Sequence, residues 1–144
     1  MYRHILIATD GSQLAVKAVL AGLTLAKDIG AKATAVTVSE PWATARTCHG
    51  SAVVPFDAYE TASAEAASRS LASVSDLARQ LAVECATVHV KDQTAEGILQ
   101  VASNRGCDLI VMSSHGRSGL SRLLLGSHAS RVLAHSQVPV LICK

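Results

Sequence analysis

Short apolar runs and longer segments with helical spacing alternate along the chain. The first run, residues 5–8, is continuously apolar, which is typical of a strand covered on both faces of a parallel sheet. A turn at Asp10 and Gly11 follows, and Ser12 is expected to cap a helix. Apolar residues then recur at helical spacing as far as a stop signal at Gly30, namely Ala15, Val19, Leu23 and Ala26. The pattern predicts a buried strand followed by an amphipathic helix.

The alternation continues to the last residues. Further strands are predicted at 33–38, 85–90, 108–112 and 138–143. Further helices are predicted at 57–83, from a Thr94 cap to Gly106, and at 127–135. Residues 39–56 show no periodicity and are predicted to form a long loop that acts as a lid or moves. We interpret Trp42, Cys48 and His49 in it as solvated or lid residues rather than a metal site.

Strands that alternate with helices require right-handed crossovers, with helices on both faces of the sheet. The expected fold is therefore α/β, a three-layer α/β/α doubly wound five-stranded parallel sheet of Rossmann-like type with strand order 3-2-1-4-5. Pro139 has no amide proton to donate, so the last strand is expected at an edge of the sheet or to contain Pro139 in its first residues. Because nothing resembles a linker or repeat, residues 1–144 are predicted to form a single domain.

Composition narrows the function classes. The net charge of +2 is small and scattered, and only 3% of residues are aromatic, so neither a nucleic-acid partner nor a membrane surface is expected. The four cysteines are far apart and are interpreted as reduced thiols. The first apolar run is far too short for a signal peptide or a membrane span, and a cytoplasmic protein is expected.

Ligands of doubly wound sheets bind beyond the carboxyl ends of the strands, where the strand order reverses. Two loops are expected at that point, residues 8–12 after the first strand and residues 113–132 around the end of the fourth. Glycines in the second loop allow left-handed backbone and close approach of a ligand, and its arginines could reach anionic oxygens. The residues concerned are Gly116, Gly119, Arg117 and Arg122.

Individual residues in these loops have two readings each. Gly126 and Ser127 open the last helix, whose N-terminus suits a phosphate, although Ser127 could simply cap the helix. Asp10 could accept hydrogen bonds from a ribose hydroxyl or a base amine, or could form an Asx turn. His115 and His128 could donate to phosphate, or could simply be solvated. The sequence alone leaves these alternatives open.

Phosphate contacts cannot account for a whole site. A helix terminus contributes about 0.3–1 kcal/mol per charge, whereas a micromolar ligand requires about 8 kcal/mol. A base or another apolar group must therefore also be buried, and Val38 and Met112 at the strand ends are placed to cover one.

Known catalytic and nucleotide motifs are missing from the sequence. No glycine is followed by lysine, which argues against a Walker A loop, and neither G-x-G-x-x-G nor G-x-S-x-G occurs. No nucleophile is paired with a base and an orienting acid in these loops. Binding is favoured over catalysis.

The chain resembles the universal stress protein family over its whole length. The similar segments are I-L-I-A-T-D-G-S, T-V-S-E-P, D-L-I-V-M, H-G-R-S-G-L-S-R-L-L-L-G-S and R-V-L-A-H-S-Q-V-P-V-L-I-C, and residues 108–144 are the most specific part. ATP-binding members carry Gly-x-x-Gly-x9-Gly-Ser/Thr. The matching positions are Ser113, Gly116, Gly126 and Ser127, so Ser113 departs from the first glycine of that pattern.

The resemblance implies an adenine nucleotide, ATP or AMP/ADP, with or without Mg²⁺, and slow or no hydrolysis. Adenine and ribose would be held by Ala8, Thr9, Asp10 and Val38. The ribose and the phosphate approach would be lined by Met112, Ser113, His115 and Gly116, with Arg117 reaching anionic oxygens. Phosphates would be received by Gly126, Ser127, His128 and Ala129.

The resemblance also implies a cytoplasmic, stress-related homodimer that pairs through the edge strand 138–143, which agrees with the tendency of open apolar edges to pair. Two alternatives remain. The first is a nucleotide-free dimeric adaptor in which Ser113 marks lost binding. The second, weaker, is a phosphotransfer or hydrolytic enzyme that uses the same pocket.

Overall fold

The computed structural model describes residues 1–48, 54–116 and 124–144 of the chain. Strands and helices alternate except where two helices follow the second strand. The strands are β1 (His4–Ala8), β2 (Lys32–Ser39), β3 (Cys85–Lys91), β4 (Leu109–Ser113) and β5 (Val140–Cys143). The helices are α1 (Gln13–Ile29), α2 (Trp42–Cys48), α3 (Phe56–Leu81), α4 (Thr94–Arg105) and α5 (Ser127–His135).

The five strands form one parallel sheet in the order β3-β2-β1-β4-β5, which confirms the predicted fold class and strand order. Residues of β1 alternate between the two faces, with Ile5 and Ile7 packed beneath α1 and α3 and Leu6 packed beneath α4 and α5. Both faces are covered, so the continuous apolar run has no solvent-facing position. The order reverses between β1 and β4, as the sequence analysis required.

Local chemistry explains both ends of α1 and the start of β5. The Ser12 hydroxyl accepts from the Ala15 amide at 3.2 Å and caps α1, as predicted. Gly30 ends the same helix with φ of 70°, in the left-handed region that favours glycine. β5 begins at Val140, directly after Pro139, and lies at the sheet edge, which confirms the interpretation of that proline.

Two predictions about elements are wrong. Residues 39–56 do not form one long loop, because α2 occupies residues 42–48 and α3 begins at Phe56. Tertiary contacts around the Trp42 ring stabilise this short helix: the ring packs edge-on against Phe56 at 5.9 Å, and its Nε1 donates to the Val54 carbonyl at 2.8 Å. Thr94 is not a cap either. Gln93 occupies the N-cap position of α4, without a side-chain capping bond.

Gly97 lets α4 approach the sheet closely. A Cβ at that position would lie 2.9 Å from Cγ1 of Val38 and 3.3 Å from Cγ2 of Val90. Such contacts are too short, and valine side chains have little rotamer freedom to move away. The close approach brings the first turn of α4 over the end of β2, where the candidate site lies.

Three cysteines, Cys85, Cys107 and Cys143, are free thiols. Burial, reinforced by the neighbouring Asp108 carboxylate, raises the pKa of Cys107 to about 11. This thiol is therefore almost entirely protonated at neutral pH. Within residues 1–48, 54–116 and 124–144, no helix has the length and apolar character needed to cross a bilayer.

Candidate functional site

A cavity of about 360 Å³ opens at the carboxyl ends of β1 and β4, where the strand order reverses. Strand ends, the start of α4 and the start of α5 contribute to its wall. The residues that line it are Ala8, Thr9, Asp10, Val36, Val38, Thr94, Ile98, Met112, Ser113, Ser114, His115, Gly116, Leu124, Leu125, Gly126, Ser127, His128 and Ala129.

The turn after β1 fixes Asp10 at this cavity. Oδ1 of Asp10 accepts from the Ser12 amide at 2.9 Å, so the Asx turn is present. The preceding residue is also anchored, because the Thr9 amide donates to the Val36 carbonyl at 2.9 Å and the Thr37 hydroxyl donates to the Thr9 carbonyl at 2.9 Å. Asp10 lines the cavity as well, so the turn presents its carboxylate there. The two readings of Asp10 are therefore compatible.

Hydrogen bonds of Ser113 and Ser114 fix the backbone where β4 ends. The Ser113 hydroxyl donates to the His115 carbonyl at 2.8 Å, and the Ser114 hydroxyl lies 3.1 Å from His115 Nδ1. The Ser114 amide donates to the Cys143 carbonyl on β5 at 2.8 Å. Ser113 has no left-handed backbone, since Ala82 is the non-glycine residue with positive φ in the described ranges. Its backbone therefore does not require glycine.

The N-terminus of α5 forms the wall on the β4 side. Gly126 is the N-cap, with φ of −60° and no side-chain capping bond, so the interpretation of Ser127 as the cap is wrong. The Ser130 amide makes the first bond of the helix, to the Gly126 carbonyl at 2.9 Å. The amides of Ser127, His128 and Ala129 precede that bond, at the positive end of the helix dipole. This wall has the geometry of an anion-binding helix start.

Gly116 and Gly126 are explained by neighbouring atoms that lie too close for a side chain, and not by left-handed backbone. Neither Gly116 nor Gly126 has a positive φ, which makes the left-handed expectation for Gly116 wrong. A Cβ on Gly116 would lie 2.8 Å from Asp10 Oδ2, and one on Gly126 would lie 2.9 Å from the Ser114 carbonyl oxygen. The Gly126 amide also donates to that carbonyl, at 2.7 Å. A side chain at Gly116 would displace the Asp10 carboxylate, and one at Gly126 would clash with the Ser114 backbone.

The opposite wall, formed by β2 and α4, is mostly apolar. Val36, Val38 and Ile98 provide apolar surface there, and Met112 adds more from β4. Thr94 is the one polar side chain that β2 and α4 contribute to the described lining. The cavity thus has a polar wall at α5 and an apolar wall at β2 and α4.

The structure brings twelve of the thirteen predicted site residues around this one cavity. The thirteenth, Arg117, lies outside the described residues, as do Gly119 and Arg122. Six lining residues were not predicted: Val36, Thr94, Ile98, Ser114, Leu124 and Leu125. One of them had a sequence signal, because Val36 lies two residues before the predicted Val38 on the same strand face.

Asp10 is the sole carboxylate among the described lining residues, and His115 and His128 are the titratable bases there. No group of three or more metal-ligating side chains occurs in the part of the chain that the structure describes.

A doubly wound sheet in the order 3-2-1-4-5, with a cavity at the reversal point, defines a Rossmann-like α/β protein. The model of the universal stress protein family matches residues 1–144. A universal stress protein of Methanocaldococcus jannaschii is 31% identical over 153 residues, covering 100% of this chain and 83% of the relative. The universal stress protein YxiE of Bacillus subtilis is 31% identical over 148 residues, covering 100% of this chain and 100% of the relative. The chain belongs to the universal stress protein family.

Solved structures show the same fold. The structure of the hypothetical protein MJ0577 superposes with a TM-score of 0.80 at 24% identity, covering 100% of this chain and 96% of that one. A universal stress protein in complex with cAMP superposes with a TM-score of 0.74 at 24% identity, covering 99% and 97%. The universal stress protein of Archaeoglobus fulgidus in complex with dAMP superposes with a TM-score of 0.71 at 17% identity, covering 99% and 98%.

Proposed function

We propose that this chain is a cytoplasmic stress-response protein whose cavity binds an adenine nucleotide, ATP or AMP/ADP, with slow or no hydrolysis. One observation carries the proposal. A helix N-terminus faces an apolar wall across a single cavity at the reversal point of a doubly wound sheet. A nucleotide has the matching polarity, since it carries anionic phosphates at one end and a flat apolar base at the other.

The ligand's orientation follows from the two walls. The phosphates lie against the amides of Ser127, His128 and Ala129, because the helix dipole and the backbone N–H groups favour negative charge there. The base lies between Val38 and Ile98, where it removes apolar surface from water. Asp10, on the β1 turn between these walls, accepts from ribose hydroxyls. Its negative charge also disfavours a phosphate in that central position.

The proposal has independent support from two relatives, whose structures were solved with cAMP and with dAMP. Mg²⁺ would accompany a triphosphate and would be bound through its phosphate oxygens. The Ser114 hydroxyl lies 3.1 Å from His115 Nδ1, and the Ser113 hydroxyl donates to the His115 carbonyl, so both hydroxyls are engaged within the loop, which favours binding over hydrolysis.

Isothermal titration calorimetry with ATP, with and without Mg²⁺, tests the proposal, and the Ser127→Glu variant tests the phosphate position. Ser127 is exposed in the first turn of α5, where a carboxylate stabilises the helix by about 0.3–1 kcal/mol but repels phosphate. We expect saturable binding by the unaltered protein. In the variant, the affinity should fall by about tenfold or more, equivalent to ~1.4 kcal/mol, with no loss of thermal stability.

Ala134→Glu is the matched control. Ala134 is exposed on the same helix, seven residues further on, which places the same charge roughly 10 Å away along the axis. Its ATP affinity should stay close to that of the unaltered protein. Absence of both heat and thermal shift at millimolar nucleotide would refute nucleotide binding. Equal losses in both variants would refute the phosphate position.

We also propose a homodimer that pairs through residues 138–143. β5 lies at one edge of the sheet, and Leu141 on it is 41% exposed. An open apolar edge strand is suited to pairing with a second copy. The dimer would leave the cavity accessible to nucleotide, because the cavity opens at the strand ends and not along the edge of β5.

A further inference from the structure

Thr94 is a polar residue on the otherwise apolar wall of the cavity. Its hydroxyl proton is directed towards Glu40, which does not line the cavity. Its hydroxyl donates to Oε1 of Glu40 at 3.3 Å. Thr94 itself lines the cavity, whereas Glu40 lies behind it, after the end of β2. A carboxylate can only accept, so this hydrogen bond has one possible direction while Glu40 is ionised.

Glu40 is held in place from two sides. Its backbone carbonyl accepts from the Tyr59 hydroxyl on α3 at 2.5 Å. The segment that follows is tied to the start of α4, because the side-chain Nε2 of Gln93 donates to the Thr44 hydroxyl at 3.1 Å. Together with the bond from Thr94, these contacts fix the carboxylate relative to the first turn of α4.

The bond to Glu40 determines what Thr94 offers to a ligand. A hydroxyl has one proton and two acceptor lone pairs, so once its proton points at Glu40 its oxygen can only accept from the cavity side. The negative charge of Glu40 behind it strengthens that preference. A ligand group that donates a hydrogen bond is therefore favoured at this position. A ligand carbonyl oxygen is disfavoured, because it would face the lone pairs of the Thr94 oxygen with no proton between the two oxygens.

We propose that Thr94 is a specificity-determining residue that selects bases with an exocyclic amine over 6-oxo purines, and that Glu40 is its positioning residue. The inference rests on the proposed nucleotide function and assigns the source of its base selectivity. Adenine carries the donating amine at position 6, whereas hypoxanthine and guanine carry an oxygen there. The pair therefore distinguishes two bases of nearly equal size by the direction of a single hydrogen bond.

The test compares dissociation constants for ATP and ITP, which carry identical ribose and phosphates. The unaltered protein should prefer ATP by about five- to hundredfold, the effect of one mismatched polar contact. Thr94→Val, which keeps the shape but removes the hydroxyl, should bring the ratio close to one. Thr94→Ser keeps the hydroxyl and should retain most of the preference.

Glu40→Ala tests the positioning role. It removes the acceptor of the Thr94 hydroxyl, so the threonine proton is free to turn towards the cavity and the ATP:ITP ratio should fall, although no residue on the cavity wall has changed. A loss of packing alone would weaken both nucleotides equally and leave the ratio unaltered. Thermal unfolding of each variant verifies that it is folded.

The outcomes separate the inference from the proposed function. Equal affinities of the unaltered protein for ATP and ITP would overturn the inference and leave nucleotide binding intact. An undiminished preference in Thr94→Val would do the same. Failure of every nucleotide to bind would overturn both.

Discussion

Ser113 shows how one side chain can replace a glycine without closing a cavity. Ser113 stands at the first position of the Gly-x-x-Gly-x9-Gly-Ser/Thr pattern that the sequence resembles, and it adds a Cβ and a hydroxyl there. In this chain the hydroxyl turns back and donates to the His115 carbonyl at 2.8 Å, and the backbone is not left-handed. The hydroxyl thus fastens the loop that carries Gly116 instead of filling the cavity.

Ser113→Gly should therefore weaken folding without creating a binding site. Loss of the hydrogen bond and the added backbone entropy of glycine should lower the free energy of unfolding by about 1–2 kcal/mol, measured by urea denaturation. ATP affinity should change by less than about threefold, because the hydroxyl proton is already donated to the His115 carbonyl. Ser113→Ala isolates the hydroxyl. Tight ATP binding in Ser113→Gly that the unaltered protein lacks would instead favour the nucleotide-free adaptor.

Sequence reasoning succeeded at residues whose chemistry is local. Asp10 and Ser12 follow a buried strand at short range, and both the Asx turn and the cap are present. The reason for Gly116 was wrong because its neighbour, Asp10, is distant in sequence and the contact between them exists only in the folded chain. Thr94 was missed as a cavity residue for the same reason, since its partner Glu40 lies 54 positions earlier.

At the scale of elements, the spacing of apolar residues and the turn residues between segments predicted the strands and the long helices. Each of these elements buries one or two faces against its neighbours, and this burial produces the spacing. α2 escaped detection because it spans only seven residues, which is too short for a repeating apolar stripe. Its stability comes from the contacts of the Trp42 ring with Phe56 and with the Val54 carbonyl. Such contacts connect residues across a gap in the sequence and leave no periodic signal.

The edge strand β5 provides the prediction at this scale. Sedimentation velocity at micromolar concentration should show a particle of twice the chain mass of 14.9 kDa. Leu141→Lys places a charge on the open edge and should shift the protein to monomer, since charged edge residues block strand pairing. Gln80→Lys, on an exposed position of α3, adds the same charge away from β5 and should leave the dimer intact. A monomeric unaltered protein would contradict the dimer.

At the scale of the whole molecule, strand order alone brings distant segments to one place. Five segments meet at the cavity only because β1 lies between β2 and β4. They are residues 8–10, 36–38, 94–98, 112–116 and 124–129. The sheet thereby sets a helix start and an apolar wall at opposite sides of one volume. The central claim is that a nucleotide occupies this volume with its phosphates at α5 and its base at β2 and α4.

Amide chemical-shift mapping during titration with ATP tests that claim most directly, because each backbone amide gives a separate signal that reports on its own surroundings. The account predicts saturable shifts in two groups, the amides of Ser127, His128 and Ala129 and those around Val38 and Ile98. The cleft between α1 and α3, which Val16 and Val74 help to line, provides the contrast on the other face of the sheet. Shifts confined to that cleft, or none at millimolar ATP, would contradict the account.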